Sequence, residues 1–512
     1  MRYGKLVLAF AYILIVSNLF AQKDARLERL DKIFETSLQD WDVPGMSIAI
    51  TNKDGILFSK GYGVKEVNKS DKVDANTLFA VASNSKSFTA SAIGILVDQG
   101  KLKWDDKVVD IIPWFKLYDP YVTANMTVRD LLCHRSGLVT FSGDLVWHGT
   151  NYTSEEVVKR ARFLKPAYGF RTKFGYSNIM YLAAGLIIEK VSGMTWADYI
   201  KANFLSPLGM NSTLTSITQF TPKTNLAMPH ATDNDKTVKI DYLNWDNMAA
   251  AGGLLSSANE MSKWLQLQLN YGKLNGKQII SEKALDEMWY PQIMNPVTKM
   301  SREIWPGTHF KGYGMGWSIM DYDGKKVISH SGGYDGIISY MAFIPESDLG
   351  FVILTNKLSS LYLPLMYTIL DAYLAPEGTE MKDWSAFFLE REKKYKESEA
   401  NAKLEKDKLR ALNTKPSAEL EKYTGTYTSE LYGDATVTVT DGKLNLQLVP
   451  SPLYHGKLEH WQYDTFTVKF PDDPTLPSGT VNFVLNADGN VEQMRIDIPN
   501  PDFDFTELEF RK

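Results

Sequence analysis

Between residues 376 and about 410 the chain changes character, and that change limits the available folds more than any other feature. The stretch "FFLEREKKYKESEANAKLEKDKLRAL" alternates Lys and Glu with few apolar residues. It predicts a solvated linker helix laced by i,i+4 ion pairs, with docking on a partner helix as the alternative. The sequence before it mixes strand and helix patterns, and the sequence after it is all β. A chain of 512 residues also exceeds what one hydrophobic core serves. The expected organisation is therefore a larger mixed domain over 24–375, a charged linker over 376–415 and a small all-β domain over 416–512.

Within the larger domain, residues 24 to about 44 form an amphipathic pattern with Leu27, Leu30, Phe34 and Leu38 on one face. "PGMSIAITNKDGILFSKGYGVKEV" then alternates as two strands around an "NKDG" turn. From 83 to about 270 the pattern is mainly helical. Strand character returns at "GYGMGWSIM", "KKVISHSGGYDGIISYMAFIPE" and "LGFVILTN", followed by a helix, "LYLPLMYTILDAYL". This order predicts an α+β fold: an antiparallel sheet flanked by helices, with a mostly helical subdomain inserted. After "NTKPS", short strands joined by turns such as "TDGK" and "NADGN" predict a small antiparallel barrel or sandwich.

The composition is globular, at 44% hydrophobic and 23% charged. A net charge of -5, with no Lys/Arg cluster, argues against nucleic acid as a partner. The first 21 residues have a basic start (Arg2, Lys5), an apolar run and a small residue at Ala21. They read as a cleavable signal peptide, which implies a periplasmic or secreted protein with no stable membrane span after cleavage; an uncleaved anchor is the alternative. Cys133 is the only cysteine, so no intrachain disulfide can form, and its apolar setting predicts a buried thiol. A catalytic pairing of Cys133 with His134 is disfavoured, because adjacent residues on a helix diverge.

There is no HExxH, paired CxxC, GxxxxGK[ST], GxGxxG or strict GxSxG. The seven histidines never fall at i,i+3 or i,i+4 spacing. No metal and no cofactor are expected. What remains is "SNSK", in which Ser83 and Lys86 stand one turn apart at the start of a helix. The positive end of the helix favours an alkoxide at Ser83, and burial would make Lys86 a better base. The competing reading is a serine that caps a helix. Downstream, Tyr176 and Asn178 flank Ser177 ahead of an apolar helix, and His330, Ser331, Gly332 and Gly333 lie on an expected strand.

These three motifs, in this order, resemble the signatures of the serine β-lactamase and penicillin-binding protein superfamily. From about 30 to 375 the chain resembles its class C β-lactamase-like branch, on "GYGV" (61–64), "TVRDLLCHRSGL" (127–138), "SPLGMNST" (206–213), "AAGGLLSS" (250–257) and "HSGGYDG" (330–336). The C-terminal stretch, with "YTGTY" and "HWQYDTFTV", resembles a lipocalin-like domain appended to such hydrolases. The resemblance implies Ser83 as the acylated nucleophile, Lys86 as its base and Tyr176 as a proton shuttle, with either of the last two as primary base. It implies Asn178 as the amide that orients Lys86 and substrate, and backbone N–H groups of Ser83 and Gly333 as the oxyanion hole. His330, Ser331, Gly332 and Tyr334 complete the expected substrate-binding set, and Trp147 and His148 are candidates to line the pocket.

Class C β-lactamases start the third motif with a lysine, whereas this chain has His330, largely neutral at neutral pH. That departure implies a D-aminopeptidase- or esterase-like hydrolase acting on a small-molecule, peptide or ester substrate rather than an efficient β-lactamase. An acyltransferase using the same acyl-enzyme and a non-catalytic binding protein are the alternatives. The β-domain could serve as a lid or an oligomerisation module; the sequence leaves subunit number open.

Overall fold

Two strands from opposite ends of the larger domain pair in the interior of its sheet, next to one edge strand. The computed structural model describes residues 24–233, 235–376 and 378–512; the segment read as a signal peptide lies outside them. The strands are β1 (Gly45–Thr51), β2 (Ile56–Gly63), β3 (Ile293–Asn295), β4 (Lys311–Tyr313), β5 (Ser318–Tyr322), β6 (Lys325–Tyr334), β7 (Ile337–Ile344) and β8 (Leu349–Thr355). They form one eight-stranded antiparallel sheet in the order β2-β1-β8-β7-β6-β5-β4-β3. β1 pairs with β8 from Met46 opposite Thr355 to Thr51 opposite Gly350. The largely helical segment is inserted between β2 and β3.

Central strands are apolar on both faces because helices cover both. Phe351 and Ile353 of β8 pack with Leu30 and Phe34 of α1 (Ala25–Asp40) and with Leu365 and Ile369 of α5 (Tyr362–Leu374). The intervening Val352 and Leu354 pack on the other face with Phe88 of α2 (Ser85–Asp98) and Trp264 of α4 (Ala258–Leu269). α1 stops at Asp40, short of 44, where Asp42 turns left-handed (φ 49°) ahead of Pro44.

The strand expected over "GYGMGWSIM" is broken between β4 and β5. Gly316 sits there at φ 78°, and a Cβ on it would lie 2.9 Å from the Lys86 carbonyl oxygen. The break lets this turn press directly on α2. The expected hairpin over 325–344 forms as β6 and β7 around Asp335–Gly336.

The charged helix, α6 (Trp384–Lys408), carries i,i+4 pairs Glu390–Lys394 and Glu392–Lys396. Its first turns are anchored by buried Trp384 and Phe388 against Tyr367 of α5. The C-terminal strands are β9 (Gly425–Ser429), β10 (Gly433–Thr440), β11 (Lys443–Leu448), β12 (His455–Gln462), β13 (Thr465–Val468), β14 (Gly479–Leu485), β15 (Val491–Asp497) and β16 (Phe510–Arg511). They close as an up-and-down antiparallel barrel, sealed where Thr428 pairs with Arg511. Closure removes the sheet edges that a sandwich would leave.

Candidate active site

Ser83 lies in a short 3-10 turn, Ala82–Asn84, leading into α2. Ala82 before it holds a left-handed φ of 45°, a conformation that costs an alanine about 1 kcal/mol or more and is held here by the packing around it. Neither the turn nor α2 has a side-chain cap bond, so the Ser83 hydroxyl is not used as a helix cap.

Lys86, one turn on, is fully buried. Its Nζ donates to Ser83 Oγ at 3.0 Å, to Asn178 Oδ1 at 2.7 Å and to the Ala251 carbonyl at 2.8 Å. Burial drives its pKa down to about 7, partly opposed by the charge of Asp144. Asn178 opens α3 (Asn178–Ser192) and gives its Nδ2 to Asp144 Oδ2 at 2.6 Å. Asp144 is itself buried, which pushes its carboxyl up to about 7 against the pull of Trp147, Asn178 and Lys86. A buried acid and a buried base thus face each other through one amide.

The Tyr176 ring lies beside Lys86, whose Nζ is 4.8 Å from its centroid, and its phenol is in contact with Ser83. Burial raises that phenol well above its ordinary value, partly offset by Ser83, so it stays protonated. His134 packs against it at a tilt, with ring centroids 4.2 Å apart, and accepts the Ser177 N–H on Nδ1 at 3.0 Å. Burial and the neighbouring Lys86 and His330 keep His134 neutral.

β6 runs past the serine with alternating faces. A Cβ on Gly332 would meet the Val81 carbonyl oxygen at 2.3 Å and Ser83 N at 2.9 Å, so only glycine lets the strand approach this closely. Ser331 and Gly333 lie on the open face. His330 lies on the buried face. Its Nδ1–H donates to the Ser331 carbonyl at 2.6 Å, and its Nε2 accepts from the Tyr313 hydroxyl at 2.9 Å. Burial, reinforced by Lys86, pushes its pKa down to about 3. His330 is therefore neutral, with no ring N–H left for a ligand.

Tyr334 is not brought into the cleft. Two residues beyond Gly332, it shares the buried face, donates its hydroxyl to the Leu243 carbonyl and packs on Trp245 at 4.2 Å. Trp147 and His148 are buried as well, beneath the barrel. His148 Nδ1 meets the Tyr454 hydroxyl at 2.5 Å and its ring packs on Phe503 at 4.3 Å. Barrel residue Glu507 accepts from the Ser142 hydroxyl at 2.5 Å and the Gly143 N–H at 2.7 Å.

The sequence pattern of the Beta-lactamase family matches residues 30–370. The chain belongs to the β-lactamase family. The pattern of a domain of unknown function (DUF3471) matches residues 409–512, which hold the barrel. This β-lactamase-family serine hydrolase is 26% identical over 435 residues to the unguisins hydrolase ungD' of Aspergillus campestris, covering 79% of this chain and 76% of that one. In fold it is similar to an octameric penicillin-binding protein homologue from Pyrococcus abyssi, with TM-score 0.61 and 24% identity over 95% of this chain and 99% of that chain. It is also similar to a D-amino acid amidase from Ochrobactrum anthropi, with TM-score 0.55 and 24% identity over 67% and 98% of the two chains.

Sequence reading missed Asp144, His134, Glu507 and the Ala251 carbonyl. Asp144 and Glu507 carry no motif. His134 had a signal in "LLCHRSGL", but its ring reaches Tyr176 only through the left-handed backbone at His134 itself (φ 57°). Among the described residues, no group of three or more His, Cys, Asp or Glu is placed to hold a metal, and no helix is long and apolar enough to cross a membrane.

Proposed function

We propose that the protein hydrolyses an amide or ester bond in a small molecule or peptide through an acyl-enzyme on Ser83. One observation carries this reading. Lys86 spends two donor positions on groups that can only accept from it, Asn178 Oδ1 and the Ala251 carbonyl, and turns the third toward Ser83 Oγ. As a neutral amine it keeps its two hydrogens on those acceptors and its lone pair faces the serine hydroxyl. A pKa of about 7 populates that form at neutral pH.

In this mechanism Ser83 Oγ attacks the carbonyl carbon as its proton passes to Lys86, and the carbonyl π electrons move onto oxygen. The backbone N–H groups of Ser83 and Gly333 serve as oxyanion donors, each contributing ~3 kcal/mol to the barrier reduction. Collapse expels the amine or alcohol, which takes the Tyr176 proton while Lys86 returns its own to Tyr176. Water then attacks the ester, loses a proton to the same groups and releases the acid and free Ser83. Ser331, on the open face of β6, is a substrate-facing hydroxyl in this reading. The neutral, fully engaged His330 supports a substrate gripped without a cation, hence D-aminopeptidase- or esterase-like chemistry ahead of β-lactam hydrolysis.

A fluorophosphonate probe is expected to label wild-type protein once, at Ser83, and to leave Ser83→Ala unlabelled. Absence of labelling, with Ser83→Ala equal to wild type toward nitrocefin, p-nitrophenyl esters and D-amino-acid anilides, overturns the reading. Residues 1–21 support action outside the cytoplasm; N-terminal sequencing of the native protein should begin near Gln22, and an intact Met1 would refute export by cleavage.

A further inference from the structure

We propose that Asp144 is a positioning residue for Lys86, acting through Asn178, and that the C-terminal barrel holds it in place through Glu507. This deepens the Ser83–Lys86 reading and rests on it. The Asn178 amide presents an acceptor at one end and a donor at the other. If it were reversed, Nδ2 would meet the Lys86 amine, donor against donor. The Asp144 carboxylate takes Nδ2 at 2.6 Å, which leaves Oδ1 for Lys86 at 2.7 Å. Asp144 is only 3% exposed, and the side-chain donors beside it are the Asn178 amide and the Trp147 indole. A buried carboxylate is costly even when hydrogen-bonded and persists where a buried cation can offset it. Lys86 is that cation.

The loop that carries Asp144 is turned by its own backbone, the Asp144 N–H donating to the Phe141 carbonyl at 3.1 Å, and is tied down from outside by the barrel. The two residues immediately before it, Ser142 and Gly143, both donate to Glu507, which belongs to the short Phe505–Glu507 turn ahead of β16. The line from the barrel to the nucleophile is therefore continuous: Glu507, the 142–144 loop, Asp144, Asn178, Lys86, Ser83. The charges facing this line are few. His134, His330, Tyr176 and Tyr181 surround Lys86, and His148, Glu507 and Lys86 face Asp144. Both histidines beside Lys86 are driven neutral, so Asp144 supplies the negative charge that acts on it.

The test is the pH dependence of fluorophosphonate labelling in the full-length protein. Asp144→Asn keeps an acceptor for Asn178 but removes the charge that favours protonated Lys86. Its acid limb is expected to move to lower pH by about 1 unit, so that labelling below the limb is about tenfold faster relative to its own plateau. Glu507→Gln keeps the contact, its amide oxygen accepting from the Gly143 N–H and its amide nitrogen donating to the Ser142 hydroxyl. It removes only a charge that opposes ionisation of Asp144, so its limb is expected to move to higher pH, by less. Glu507→Ala releases the loop as well, and its limb is expected to move to lower pH, as in Asp144→Asn. If Asp144→Asn does not fold, Glu507→Gln carries the test alone. Unmoved limbs, or a Glu507→Gln limb moved to lower pH, overturn the proposal while wild-type labelling leaves the Ser83 reading standing. Failure of wild-type protein to label at Ser83 removes that reading and this one with it.

Discussion

Replacing Gly332 with alanine tests whether β6 truly fixes the nucleophile turn. The added Cβ would stand 2.3 Å from the Val81 carbonyl oxygen, 2.5 Å from Ser339 Oγ and 2.9 Å from Ser83 N, where ordinary contact begins at 3.4 Å. Ser339 cannot simply swing away, because its hydroxyl donates to that same Val81 carbonyl at 2.8 Å. The strand and the turn must therefore separate by about 1 Å, and close packing passes the shift on. Overpacking of this kind costs ~1–3 kcal/mol of stability. A displacement of about 1 Å at a reacting group costs on the order of 100-fold in rate. Gly332→Ala should thus melt measurably lower and label with a fluorophosphonate about 100-fold more slowly. Gly333→Ala is the control for stability, since its Cβ would find nothing closer than Ile338 at 3.8 Å, and it should melt as wild type does. A Gly332→Ala protein with wild-type melting and labelling rate would refute the reasoning.

Other consequences are as direct. Labelling should rise with pH through about 7 as Lys86 loses its proton, and His330→Gln should leave that profile's shape unchanged between about pH 5 and 8, because His330 is already neutral there; a limb near 6.5 that disappears in the variant would contradict this. Cys133 is buried and its thiol is pushed up to about 12, so native protein should resist maleimide and react only once unfolded; rapid stoichiometric modification of native protein would show otherwise. Burial would raise the Asp130 carboxyl, but Arg171, Thr127 and Arg135 hold it below its ordinary value, with Arg135 at 2.5 Å and Arg171 at 2.6 Å. Asp130→Ala should cost ~3–5 kcal/mol at neutral pH by denaturant unfolding. Because the folded-state pKa is depressed, that difference should shrink as pH falls through it, and a difference constant into acid would contradict the assignment.

Both domains were legible in the sequence because their signals are periodic. The apolar spacing of α1, the β1–β2 hairpin and the short strands of the barrel each follow from residues within about ten positions of one another. The strand broken at Gly314–Trp317 was not legible, because its break exists to admit α2 from elsewhere in the chain. Tyr334 illustrates a signal that was present and unused: strand period two puts it on the side of His330 and Gly332, away from Ser331 and Gly333.

The sequence by itself determined which side chains are available and which of them stand one helical turn apart, so Ser83 and Lys86 were bound to be neighbours. Tertiary structure decided what that neighbourhood does. The dielectric around Lys86, the carbonyl of Ala251, the amide of Asn178 and the charge of Asp144 all come from distant segments, as does the burial that neutralises His330. Local geometry is set by backbone bonds and reads from the chain. Desolvation and long-range charge depend on what the fold packs around a group, and no local pattern encodes that.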